Sequence, residues 1–271
     1  MTLTRLALRC WTLIALLSSA IHASAEPLLI GAEDDWYPYT ALRNGQVQGM
    51  SVDIVKAAFA ATDTEIELRP YPYTRCMQMA LKGELVACFN TAPNAQIAVD
   101  YLLPKTALFR GDILLWARND HATKLSELRE LRELTGKRVA VTIGYEYGEH
   151  FDHDTKLIRV PVRHDINGFL MLQRQRVDYV VAYHGTASQL FRQRPELAGQ
   201  FSPVLSVSKP LLYLSFSRQA QQSADALQRF EQGMRLIQDN GRYQQILQDW
   251  QHGSADFAPS RYAGKSPVVT P

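Results

Sequence analysis

Between Leu28 and Phe89 the chain alternates short apolar runs with stretches of helical character, and that alternation leaves few folds open. Leu28-Leu29-Ile30 reads as a buried strand, Ser51–Ala61 as a helix and Thr64–Arg69 as a strand with Ile66 and Leu68 on one face. Pro70-Tyr71-Pro72 follows as a rigid turn, then a helix over Arg75–Lys82 ended by Gly83, then a strand over Leu85–Phe89. Strand, helix, strand, helix, strand with short connections requires crossovers, so the strands lie parallel with helices packed on the sheet. Ser51 is placed to cap the first helix, its hydroxyl accepting from a first-turn amide. The loop before that helix carries Glu33, Trp36, Tyr37 and Tyr39 and turns at Asn44-Gly45. An acid and three aromatic rings just past a strand end stand where open α/β sheets bind ligands.

A polar loop, Asn90–Ala98, and an apolar strand, Ile113–Ala117, lead to a second round of the same pattern. Its parts are a helix over Leu125–Leu134, a strand within Gly136–Thr142 and the glycine- and aromatic-rich loop Ile143–Gly148. A helix about His150, a strand over Leu157–Val160, a helix over Ile166–Arg174 and a strand over Val177–Ala182 follow. That last strand ends in Tyr183-His184-Gly185, and a further helix begins near Thr186. A strand at Leu211–Ser217 then precedes two amphipathic helices, Ala224–Asp239 and Tyr243–Trp250, split by Asn240-Gly241. Residues 251–271 have no period and are rich in Ser, Pro and Gly, which predicts a flexible tail.

The first 25 residues read as a signal peptide: Arg5 and Arg9, an apolar run from Cys10 to Ala20, then Ala23-Ser24-Ala25. That run is well short of the roughly 20 residues that span a bilayer. Loss of Arg5 and Arg9 from the 29 Lys and Arg leaves 27 basic residues against 27 acidic ones, so a nucleic-acid partner is not expected. Cys76 and Cys88 remain in the secreted chain. An even pair in an oxidising compartment invites a disulfide, two buried free thiols being the other reading. No His or third Cys lies near them at ligand spacing, so no metal is expected. Gly-x-Ser-x-Gly, His-Glu-x-x-His and P-loop patterns are missing, and neither catalysis nor a cofactor is expected.

Four features occur in a telling order: the strand-plus-aromatic opening with Gly49 before Ser51-Val52-Asp53; Val99-Asp100-Tyr101; Leu134-Thr135-Gly136-Lys137-Arg138-Val139-Ala140-Val141; and Asn240-Gly241-Arg242-Tyr243 before Trp250. Together, over Pro27–Trp250, they resemble family 3 of the bacterial periplasmic solute-binding proteins, the family of the polar amino-acid binders of ABC transporters. The resemblance implies an α/β chain of two Rossmann-like lobes, the type II periplasmic binding fold, joined by two hinge crossings at Ile113–Arg118 and Pro210–Ser217. Lobe I would comprise residues 26–117 and 209–250, lobe II residues 118–208, with the ligand in the cleft between them. It implies a periplasmic monomer that works with a membrane permease or a membrane-bound sensor.

The family's ligand residues carry over unevenly. Ala95 stands where amino-acid binders of the family place the arginine that holds the ligand carboxylate, and Tyr183 where they place the aspartate that holds its ammonium. Neither replaces a charged hydrogen-bonding anchor, so an ordinary amino acid is not the first choice of ligand. The aromatic platforms do match, at Trp36 and Tyr73, with Glu33 beside them. Tyr145, Glu146 and Tyr147 would face these from lobe II, together with Tyr183 and His184. Arg75 would supply an anion contact, and Tyr39, Asn90 and Thr91 complete the candidate set. Each also has a bland reading: rings fill cores as well as pocket walls, Asn and Thr form turns, and most lone histidines are solvated. The expected function is capture of a small polar solute for an ABC transporter. The alternatives are a ligand-sensing adaptor for a membrane-bound signalling protein and, further off, a dehydratase-like enzyme using Glu33, Glu146 and His184 as an acid–base set.

Overall fold

In the computed structural model, which describes residues 26–120 and 128–253, the alternation is realised twice. The first half runs β1 (Leu28–Glu33), a three-stranded meander of β2 (Asp35–Trp36), β3 (Thr40–Arg43) and β4 (Gln46–Gln48), α1 (Met50–Ala60), β5 (Ile66–Tyr71) and α2 (Tyr73–Leu81). It continues with β6 (Ala87–Thr91), α3 (Ala95–Asp100) and the short strands β7 (Tyr101–Leu102) and β8 (Phe109–Arg110). The second half holds β9 (Ile113–Arg118), β10 (Arg138–Thr142), α4 (Glu149–Asp152), β11 (Ile158–Val162), α5 (Asp165–Gln173), β12 (Tyr179–Tyr183), α6 (His184–Gln193) and β13 (Phe201–Ser208). The chain then returns through β14 (Leu211–Ser217), α7 (Ser223–Asp239) and α8 (Arg242–Gly253). The signal-peptide segment 1–25 and residues 254–271 of the expected tail lie outside the described residues.

The two main sheets have one plan. In the first, β1 lies between parallel β5 and β6, and β14 runs antiparallel beside β6. In the second, β10 lies between parallel β11 and β12, and β9 runs antiparallel beside β12. Each antiparallel strand arrives from the other half, so the chain crosses twice between two α/β lobes. The crossings are tied together: the Gly111 amide donates to the Pro210 carbonyl at 2.9 Å, and Lys209 Nζ lies 3.6 Å from Asp112. Because β9 hydrogen-bonds to β12 and β13, Ile113–Ala117 belongs with the second sheet, not with lobe I as the sequence suggested. The first crossing therefore falls between Arg110 and Ile113.

Packing on lobe I explains its amphipathic C-terminal helices. Phe230 of α7 meets Phe59 of α1 and Phe216 of β14 at ring distances of 5.6 and 5.9 Å, all three fully buried. Each such side chain contributes roughly 1.5–3 kcal/mol by leaving water. Where α7 crosses α1, a side chain at Gly233 would collide with the Ala58 carbonyl. On the opposite face Cys76 of α2 is bridged to Cys88 of β6, with Cα atoms 5.9 Å apart. Among the described residues no helix is long and apolar enough to cross a membrane, and no cluster of His, Cys, Asp and Glu is placed to hold a metal.

Several local expectations need correction. Ser51 does not cap α1: it is buried within the helix, its hydroxyl without a protein partner, and Gly49 stands at the cap. The first-turn amides of Met50 and Ser51 instead donate to the carbonyls of Pro38 and Tyr39, which take over part of a capping side chain's role. Pro70 and Tyr71 extend β5 rather than turning, as an edge strand permits, because no neighbour needs the missing proline N–H on its outer side. Within Asn90–Ala98, Asn94 accepts from the Ile97 amide at 2.9 Å and starts α3. Of the helix expected over Leu125–Leu134, residues 125–127 lie outside the described residues, and the remainder supplies only a single 3-10 turn at Leu131–Leu134. β13 went unrecognised because Phe201–Ser208 lacks a clean apolar alternation and contains Pro203. It is an edge strand with register shifts after Pro203 and Ser206.

Candidate functional site

The carboxyl ends of the parallel strands converge on one cavity. Glu33 ends β1, Asn90 lies at the end of β6, Tyr183 ends β12, and Tyr145 and Glu146 follow β10. Tyr73 opens the helix after β5, and Trp36 comes from the meander after β1. These seven residues line a cavity of about 10 Å³, room for at most one water molecule.

The rings of the two lobes interlock across it. Trp36 meets Tyr183 edge-on at 4.7 Å and Tyr145 at 6.0 Å, and Tyr73 meets Tyr145 at 5.7 Å. Such perpendicular pairs place a positive ring edge on a negative ring face, worth roughly 0.5–1.5 kcal/mol each beyond burial. Tyr39 meets Trp36 at a tilt at 4.4 Å and stacks flat against Phe109 at 4.8 Å, behind the cavity wall rather than on it. Phe109 was not singled out in the sequence, where nothing separates it from other core phenylalanines.

Acids and tyrosines pair reciprocally. The Tyr73 hydroxyl of lobe I donates to Glu146 Oε2 at 2.9 Å in lobe II, and the Tyr145 hydroxyl of lobe II donates to Glu33 Oε1 in lobe I. Burial raises the carboxyl of Glu33 well above its ordinary range. Desolvation also pushes Glu146 up to about 8, against the lowering effect of its Tyr73 bond. Asp165, buried beside the cavity and bonded by the Thr142 hydroxyl, is pushed up to about 6 by the same cause. None of the lining residues is Lys, Arg or His. Two lining groups have no protein partner although both are buried: Trp36 Nε1 and Asn90 Oδ1, the Asn90 amide nitrogen being spent on Thr40 at 2.7 Å.

Besides Tyr39, four of the sequence candidates lie off the cavity wall: Tyr147, whose hydroxyl accepts from the Thr142 amide at 2.7 Å, and Arg75, Thr91 and His184, for reasons of local geometry. Arg75 is exposed, its guanidinium 5.8 Å over the ring of Tyr71. It sits two residues from Tyr73 on α2, a rotation of about 200°, so an inward Tyr73 turns Arg75 out. Thr91 alternates with Asn90 along β6 and directs its hydroxyl to the Met77 sulfur at 3.5 Å. His184, one residue beyond Tyr183, stacks beside Trp116 at 6.2 Å, so Glu33, Glu146 and His184 do not form one acid–base set.

Two larger openings flank the cavity. One of about 190 Å³ is lined by Asp35, Arg43, His164, Asp165 and Gln193 among others. Across it His164 Nδ1 lies 2.8 Å from Asp35 Oδ2, and Arg43 reaches Gln193 at 3.4 Å. The second, about 300 Å³, includes Ala95, Glu146, Asp152 and Pro210. The pairs Asp35–His164 and Arg43–Gln193 were not foreseen, since partners more than a hundred residues apart leave no trace in local sequence.

The model of the bacterial extracellular solute-binding proteins, family 3, matches residues 28–253. No functionally curated protein matches the sequence. Among solved structures, the P235GK mutant of ArgBP from T. maritima has 19% identity and a TM-score of 0.71, over 84% of this chain and 96% of that one. A histidine kinase sensor domain with similarity to periplasmic binding proteins has 19% identity and a TM-score of 0.69, over 83% and 96%. The GluR0 ligand-binding core from Nostoc punctiforme, solved with (L)-glutamate, has 18% identity and a TM-score of 0.67, over 83% and 99%. At these identities the likeness shows the fold, that of the two-lobed type II periplasmic binding proteins. With the family model matching most of its length, the chain belongs to the bacterial extracellular solute-binding proteins, family 3.

Proposed function

We propose that this chain is a periplasmic solute-binding protein, made with an N-terminal signal peptide, whose lobes close as a monomer on a small polar solute for delivery to an ABC permease. The observation that supports this most is the meeting of Trp36 and Tyr73 from one lobe with Tyr145 and Tyr183 from the other around an acid-lined cavity. A solute seated among these rings bridges both lobes, and only its differential affinity for the closed form can drive closure. Taking the closed population from 1:99 to 99:1 needs about 5.5 kcal/mol, within reach of ring stacking plus several polar contacts. The site comprises Glu33, Trp36, Tyr73, Asn90, Tyr145, Glu146 and Tyr183.

The likeness to a histidine kinase sensor domain favours a second reading, in which the same closure reports to a membrane-bound signalling protein. A thermal-shift screen of the purified chain against amino acids, amines, carboxylates and aromatic metabolites tests the common core of both readings. A true ligand raises the melting midpoint in step with the logarithm of its excess over Kd. A flat response to the whole panel refutes solute capture.

A further inference from the structure

We infer that the solute is a small organic cation without a carboxylate, a protonated amine seated between Glu33 and Glu146 on the faces of the surrounding rings. This rests on the reading of the cleft as a solute site and narrows it.

Hydrogen-bond inventory and charge point the same way. The cavity presents the acceptors of Glu33 and Glu146 and the unpartnered Oδ1 of Asn90, which is only 5% exposed. An ammonium group carries three N–H donors and no acceptor, which matches three such acceptors. On the donor side the Tyr73 and Tyr145 hydroxyls are already committed to the two acids, and the Trp36 indole N–H, on a residue 2% exposed, is left without a partner. One neutral acceptor on the solute, such as a hydroxyl, satisfies it. Ring faces within reach attract a cation and add to the same preference.

The acids themselves carry the strongest argument. Desolvating a carboxylate without a counter-charge is costly, and burial raises both groups above the ordinary carboxylate range. Other acids reinforce this: Asp34, Asp35 and Asp165 act on Glu33, and Asp152 acts on Glu146. The basic side chains that come near line the flanking openings and not the cavity, Arg43, Arg194 and His164 on one and His153 on the other. A bound cation supplies the missing charge. A solute carboxylate would add another anion where no lining cation receives it, which removes the ordinary α-amino acid and the dicarboxylate as first choices.

Matched pairs of solutes differing by one carboxylate provide the test: agmatine against arginine, and putrescine against ornithine, with succinate as the anionic arm. Isothermal titration of the full mature chain is expected to give Kd values about tenfold or more lower for each decarboxylated amine than for its parent amino acid. The variant Glu146→Gln, checked for its fold by circular dichroism, is expected to weaken the amine about tenfold or more while leaving succinate unimproved. Tighter binding of arginine, ornithine or succinate overturns this inference and leaves solute capture standing. A cleft that binds none of the five and shows no thermal shift with the wider panel overturns both.

Discussion

Tyr73 and Glu146, from different lobes, are joined by a 2.9 Å hydrogen bond, and Tyr145 and Glu33 are joined the same way in the opposite sense. Each lobe thus gives one tyrosine and one acid to the other, and the bonds tie the lobes across the cleft. The acids in these bonds are therefore the groups that the proposal assigns to holding the solute, through the acceptor capacity the two hydroxyls leave open. An amine there adds charge-assisted bonds, roughly twice as strong as neutral ones.

The raised carboxyls make stability depend on pH with an unusual sign. Glu146 titrates at about 8 in the folded chain against an ordinary value of 4.5, and Asp165 at about 6 against 3.8. Between those limits the folded state binds more protons than the unfolded one, so stability falls as pH rises, by at most about 1.4 kcal/mol per pH unit for each group. The melting midpoint is expected to be highest near pH 5 and to decline towards pH 8.5. Differential scanning calorimetry across that range checks it, and Glu146→Gln should flatten the decline above pH 6. A midpoint that rises steadily from pH 5 to 8 contradicts the assignment.

Gly185 offers a way to hold the lobes apart without disturbing either. It lies in the first turn of α6, where alanine is the better helix former by about 1 kcal/mol, yet an added Cβ would stand 2.6 Å from the Tyr39 hydroxyl and 3.1 Å from Cζ of its ring. Tyr39 is pinned against Phe109 and Trp36 and has little room to yield. Gly185→Ala is expected to leave the secondary structure intact, increase the radius of gyration measured by small-angle scattering, and weaken solute binding about tenfold, in line with overpacking costs of 1–3 kcal/mol. Unchanged dimensions and affinity would show that the contact does not gate closure.

The disulfide acts on the site through what it holds in place. Cys76 lies one helical turn after Tyr73, and Cys88 two residues before Asn90, so the bridge fixes α2 and β6 behind two residues of the cavity wall. Its loop of 12 residues corresponds to roughly 2–3 kcal/mol in the chain-entropy estimate. The double variant Cys76→Ala, Cys88→Ala is expected to melt about 5–10 °C lower, the shift that such a loss gives in a chain of this size. Differential scanning calorimetry under non-reducing conditions reads it directly.

The repeated strand–helix pattern was legible because apolar strands and amphipathic helices write their periods locally, and the Asn44-Gly45 turn did so through its two positive φ angles, 52° and 76°. The rings at Trp36, Tyr73, Tyr145 and Tyr183 could be nominated from their places just past strand ends. Which neighbours accompany them depends on phase, and phase was lost where element starts were misjudged. A helix that begins at Arg75 leaves that side chain free to point inward, whereas one that begins two residues earlier, at Tyr73, turns it to solvent. The reciprocal acid–tyrosine bonds and the Asp35–His164 pair were beyond sequence reading because they exist only once two separately folded lobes meet.

Closure on a solute is the centre of the account, and the distance across the cleft mouth measures it most directly. Gln46 and Arg194 are exposed on opposite sides of the opening that Arg43 and Gln193 bridge, and spin labels at Gln46→Cys and Arg194→Cys report that gap by pulsed dipolar spectroscopy. With the solute that gives the largest thermal shift, the expected result is a single narrow distribution at the short, closed distance. Without it at pH 9, where Glu146 is ionised, a second and longer population should appear. One distance distribution, the same with and without solute at every pH, would contradict closure as the working motion of this protein.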